Sequence, residues 1–165
     1  MCRFTRCFSS LLLATSAVPL FMYASDQPNF SGTWKLDPAR SPGANGASIT
    51  LTIKDEAGKI DYRRSMKQND GKEVVARFTC SPGASECDFD ENGHKAKVSL
   101  WHDGTALVIL KTGGPKQDAT TERKLELSAD GNTLKVQFTN LDLDKSGKPE
   151  TLVFVKQSTS TASAQ

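Results

Sequence analysis

The sequence predicts an all-β protein, an antiparallel up-and-down barrel of about 8–10 strands. Three observations predict it. From Ser48 onward, short runs alternate apolar and polar residues with a period of two. Glycine-containing turns separate these runs at short intervals, as at Asp55-Glu56-Ala57-Gly58, Asn69-Asp70-Gly71, His102-Asp103-Gly104 and Asp130-Gly131-Asn132. No stretch carries the apolar stripe of an amphipathic helix. A meander of strands leaves two unpaired edges unless the sheet closes on itself. A sandwich is the alternative, but sandwiches use long crossing connections and this chain offers few.

The first strand is predicted within Asn29-Phe30-Ser31-Gly32-Thr33-Trp34-Lys35-Leu36. Gly32 lets backbones approach closely, and Trp34 and Leu36 share one strand face, where they can plug one end of an enclosed sheet. Asp37 to Ala47 contains Pro38, Pro42, Gly43 and Gly46 and reads as a loop. In Ser48 to Lys54, Ile49, Leu51 and Ile53 share a face. The return, Lys59 to Lys67, puts Ile60, Tyr62, Arg64 and Met66 in one phase. Lys72 to Cys80 aligns Val74, Ala76 and Phe78. Asp88 to Gly93 reads as a turn, and His94 to Trp101 aligns Ala96, Val98 and Leu100. The run Thr105 to Lys111 is apolar in both phases, which predicts cover on both faces. Thr120 to Leu127 sets Arg123, Leu125 and Leu127 against Glu122, Lys124 and Glu126. Leu134, Val136 and Phe138 then align, and a longer turn precedes the last strand, Thr151 to Gln157.

The opening Gly32-Thr33-Trp34-Lys35-Leu36 resembles the N-x-x-G-x-W opening of lipocalins and the G-T-W-K-L opening of fatty-acid-binding proteins. The resemblance covers about eight residues and implies a lipocalin-like, calycin-like secreted barrel. It also implies a pairing of Trp34 with an arginine from late in the chain, a structural role for which Arg123 is the candidate. Two strands follow Arg123, whereas the lipocalin arginine follows the last barrel strand; no T-D-Y-type motif and no closing helix occur.

Residues 1–24 carry Arg3 and Arg6, no acid, and a short apolar run ending in small residues, the pattern of a secretory signal peptide. The expected product is a barrel domain over 25–157 with a small, polar, disordered tail over 158–165, secreted or periplasmic and monomeric. Of 21 basic residues, 19 remain after the leader, against 19 acidic ones. This balance, without a basic stripe interleaved with aromatics, argues against nucleic acid as a partner. No later apolar run is long enough to span a membrane, so no stable insertion is expected. Cys80 and Cys87 are the only cysteines left, and in an oxidising compartment they are expected to form a disulfide across the turn-rich Ser81 to Glu86.

A barrel of this size has room for one small ligand, so the lumen is the expected site. The inward phase nominates Tyr62, Arg64, Met66, Phe78, Leu100 and Phe138 as ligand-binding residues for a small, largely apolar molecule. Tyr62 and Arg64 can hold a carboxylate or another polar head group. Asp88-Phe89-Asp90-Glu91-Asn92-Gly93 and Asp142-Leu143-Asp144-Lys145-Ser146-Gly147 resemble the first half of a calcium loop, but Ser99 and Val153 stand where the bidentate glutamate belongs. No cofactor, metal or catalytic activity is expected: His94 and His102 are the only histidines, and no nucleophile motif or phosphate loop occurs. The alternative function is a ligand-free interaction barrel similar to small periplasmic protease inhibitors, whose extended amino-terminal segment enters a protease cleft.

Overall fold

The computed structural model describes residues 27–113, 119–142 and 149–158. The predicted leader and nearly all of the predicted tail lie outside the described residues. Ten strands form one closed antiparallel barrel: β1 (Gly32–Leu36), β2 (Ser48–Glu56), β3 (Lys59–Lys67), β4 (Glu73–Cys80), β5 (Cys87–Glu91), β6 (His94–Asp103), β7 (Ala106–Thr112), β8 (Thr121–Leu127), β9 (Thr133–Asn140) and β10 (Glu150–Lys156). Each strand pairs with its sequence neighbours, and β1 pairs with both β2 and β10, which removes both edges. Sequence order thus becomes spatial order, as short turns require.

The alternation sets which side chains meet. Ile53 lies opposite Tyr62, Tyr62 opposite Phe78, and Phe78 opposite Phe89, so one inward band runs across four strands. The outward phase carries paired charges, including Lys97 with Asp88 and Lys124 with Asp103, both at 2.7 Å. Exposed pairs of this kind add little stability, so the inward apolar band holds the sheet together.

Two elements depart from the sequence reading. Cys87–Glu91 is a strand, and only Asn92 and Gly93, both with positive φ, make the turn. Acidic residues are common in turns, but these alternate: Asp88 and Asp90 face Lys97 and Lys95 across the sheet while Phe89 points into the core. These carboxylates are engaged by lysines rather than grouped around a common point. The second acidic loop, Asp142 to Gly147, lies almost wholly outside the described residues. The Asp37 to Ala47 loop contains two short 3-10 turns, Pro38–Arg40 and Pro42–Ala44, each begun by its proline.

In β7, Ala106 and Val108 are buried on the outward phase. Among the described residues no second layer covers them. Val108 is flanked in register by Trp101 and Lys124, whose long side chains shield it; Trp101 itself is 37% exposed.

The pairing of β4 with β5 is short, running from Ala76 opposite Glu91 to Phe78 opposite Phe89. The same register carried two residues further sets Cys80 opposite Cys87, and these form the disulfide, with their Cα atoms 5.7 Å apart. The covalent bond thus closes the barrel wall where the hydrogen-bonded ladder ends. At the other end of the pair, Asn92 Oδ1 accepts from the Val75 amide at 2.8 Å and continues the ladder. Replacing both cysteines with serine should cost about 2–3 kcal/mol by releasing the unfolded chain. Urea unfolding of the double variant against the oxidised protein measures it, and an unchanged midpoint would show that the bond is dispensable.

Candidate functional site

The two halves of the lumen differ. In one, Phe30 and Trp34 are wholly buried, and the Trp34 indole donates to the Phe30 carbonyl at 3.1 Å. Asp55 fixes the entering chain: its carboxylate accepts from the Phe30 amide at 3.2 Å, and its own amide donates to Ser31 Oγ at 2.9 Å. A Cβ on Gly32 would lie 3.3 Å from Trp34 Nε1 and 2.9 Å from Lys156 Cε, so the indole packs where only a glycine leaves room. Ile53, Ile60, Leu107, Leu125 and Leu134 fill the lumen around this plug.

The other half holds a cavity of about 400 Å³. Its wall is apolar over most of its extent, with Ile49, Leu51, Met66, Val136, Phe138 and Leu152, and it carries Tyr62, Arg64 and Arg123 as inward polar groups. Gly43, Asn45, Gln68, Asn69 and Glu150 surround the mouth. The β1–β2 connection crosses this end. It is held by Ser41, which is buried: the Ser41 hydroxyl accepts from the Val153 amide at 2.8 Å and donates to the Val153 carbonyl at 3.3 Å. Leu36 opposite Phe154 is the last rung between β1 and β10, so the serine satisfies the β10 backbone where β1 turns away. Ser41→Ala leaves that amide without its acceptor and should cost about 1–3 kcal/mol. Thermal unfolding reads the loss, and faster hydrogen exchange confined to the Val153 amide localises it.

The charged groups in the wall are unequal. Arg64 Nη2 is ion-paired with Glu91 Oε1, and its Nε is buried without a hydrogen-bond partner. Arg123 lies over the Phe138 ring, 5.0 Å from its centroid, and its guanidinium donates to the Thr121 hydroxyl at 3.4 Å. Among the described residues no carboxylate lies within ion-pair distance of Arg123. Arg123 is half-buried and borders the cavity. Burial lowers the Arg123 pKa from the ordinary arginine value; Tyr62 and Glu91 oppose the lowering and the nearby Arg64 charge adds to it.

Of the six residues nominated from sequence, Tyr62, Arg64, Met66 and Phe138 border the cavity. Phe78 and Leu100 do not. Phe78 stacks against Tyr62 with ring centroids 4.9 Å apart and buttresses the wall from beside it. Leu100 pairs with Ile109 in the packed part of the lumen, where both are buried. Inward phase was read correctly for both; their height along the barrel axis depends on shear and is not visible in one strand.

The proposed partnership of Trp34 with Arg123 is corrected. Lys156, on the neighbouring β10, lies over the indole with Nζ 5.2 Å from the ring, whereas Arg123 stacks on Phe138 beside the cavity. Trp34 keeps its structural place and Arg123 joins the cavity wall. The signal was present, since Arg123 shares its phase with the inward Leu125. Glu91, Lys156 and Ser41 had no sequence signal, because each acts through a neighbour distant along the chain.

No protein-family model matches the chain, and no curated protein matches it in sequence. Solved structures do match. A REP1-NXSQ fatty acid transporter is 17% identical, the alignment covering 78% of this chain and 96% of that one, with a TM-score of 0.56. The apo form of Caenorhabditis elegans lipid binding protein 8 is 12% identical over 78% of this chain and 95% of that one, with a TM-score of 0.55. With the closed ten-stranded wall, these likenesses give the chain a lipocalin-like, calycin-like β-barrel fold.

Proposed function

We propose that this protein binds a small, largely apolar molecule in the open half of its barrel, with the molecule's polar end against Tyr62, Arg64 and Arg123. The single observation that carries the reading is the cavity of about 400 Å³, apolar in most of its wall and bordered by an arginine, Arg123, that has no ion-pair partner among the described residues. Desolvating a cation without an anion is unfavourable, and a bound acidic group would relieve it. Two structural neighbours whose names are those of a fatty acid transporter and a lipid binding protein support this choice of ligand class. The Phe30 side chain is buried and its amide is bonded to Asp55, which counts against an extended inhibitory segment beginning at this point.

In the same reading the protein is exported by its 1–24 leader and works outside the cytoplasm as a monomeric carrier rather than an enzyme. Native mass spectrometry of protein purified without denaturant tests the reading. The expected spectrum shows a species heavier than the polypeptide that loses its excess mass on denaturation, together with leader removal and a closed disulfide. Failure to retain any of a panel of long-chain acids, alcohols and amines would overturn the binding reading.

A further inference from the structure

The cavity wall contains two guanidinium groups, yet they do not present two positive charges. Arg64 is ion-paired with Glu91, the pair being largely enclosed, with side-chain exposures of 17% and 29%. Glu91 is not itself part of the cavity wall; it compensates Arg64 from outside the space a ligand would fill. Arg123 has the Thr121 hydroxyl and the Phe138 face as partners and no carboxylate within reach among the described residues. Among the described residues, Arg123 is therefore the cavity-bordering cation that no carboxylate pairs with. Lys111 lies over Phe89 and does not border the cavity, and Glu150, which borders it opposite Phe138, makes no ion pair with either arginine.

We propose that Glu91 is a specificity-determining residue that limits the head group of the bound molecule to a single negative charge. The inference rests on the lumen-binding reading and sharpens it to a class: long-chain monocarboxylates, as against dianionic phosphate monoesters. A carboxylate neutralises Arg123 and leaves the Arg64–Glu91 pair undisturbed. Among the described residues that border the cavity, a doubly charged head has no second unpaired cation to meet. Drawing Arg64 away from Glu91 only moves the deficit, because the glutamate is then left half-buried and alone.

The test uses the full chain at pH 8, where an alkyl phosphate is doubly charged, since its second pKa is about 6. Dodecanoate, dodecyl phosphate and dodecanol are titrated by calorimetry against the wild type, Glu91→Gln, and the double variant Glu91→Gln with Arg64→Gln. The wild type should bind dodecanoate at least about 10-fold tighter than the other two. Glu91→Gln frees Arg64 and should raise the affinity for dodecyl phosphate relative to dodecanoate by about 10-fold. The double variant restores one net positive charge and should bring the ratio back toward that of the wild type, while both anions bind more weakly for want of the Arg64 contact. An unchanged ratio in Glu91→Gln, or a double variant that behaves like the single one, would overturn the role of Glu91 while leaving lumen binding intact. Equal affinity of the wild type for all three probes would do the same. No binding of any probe by the wild type would overturn the lumen reading together with this one.

Discussion

Arg123→Leu is expected to weaken binding of an acidic ligand by about 10- to 100-fold while leaving the barrel as stable as the wild type or more so. The two signs differ because the side chain does opposite things in the two states. With ligand bound, the guanidinium donates charge-assisted hydrogen bonds to the head group, worth about 1.5–3 kcal/mol. Without ligand, it is a half-buried cation with no carboxylate in ion-pair distance among the described residues, and burial lowers the Arg123 pKa. Leucine removes the cost and fits the apolar remainder of the wall, much as replacing other buried charges by hydrophobic residues is neutral or stabilising. Parallel calorimetry and chemical denaturation check both halves. A leucine variant that binds an acidic ligand as tightly as the wild type removes Arg123 from the site. One that loses several kcal/mol of stability makes the arginine structural.

Trp34→Ala is expected to cost about 3–5 kcal/mol, the largest loss from any one side chain considered. The indole is wholly buried, its N–H has a partner in the Phe30 carbonyl, and Gly32 and Lys156 pack directly against it. Alanine would lose the transfer free energy and leave a void between β1, β2 and β10 that strands locked in a closed ladder cannot collapse to fill. Against a typical total of about 5–15 kcal/mol, this is enough to bring a marginal domain close to unfolding. Guanidinium denaturation with an unchanged slope would confirm a stability effect, and a shift below about 1 kcal/mol would show that the plug is not a main support of the barrel. Trp34→Phe separates packing from hydrogen bonding: it keeps most of the volume and loses only the indole N–H.

The strands, their alternation and their turns were legible because they are local. A period of two is written in consecutive residues, and pairs such as Asn92-Gly93 accept the positive φ of a tight hairpin whatever lies elsewhere. The Cys80–Cys87 bond was legible for the same reason, since the residues facing each other across β4 and β5 are seven apart. Even the misread segment failed in a local way: Asp88, Asp90 and Asn92 are common turn residues, and only the lysines opposite them on β6 make a strand of the first two.

What sequence alone determined is therefore the all-β character, the inward phase of each strand and the identity of the polar residues that phase turns toward the lumen. Closure, strand stagger and the height of each inward residue belong to the tertiary structure. They decided that Phe78 and Leu100 pack beside or below the cavity, that Lys156 rather than Arg123 covers Trp34, and that Glu91 neutralises Arg64 from a strand two places away. The physical reason is that side-chain direction follows from the local backbone, whereas charge compensation and packing depend on distances across the barrel between residues far apart in the chain.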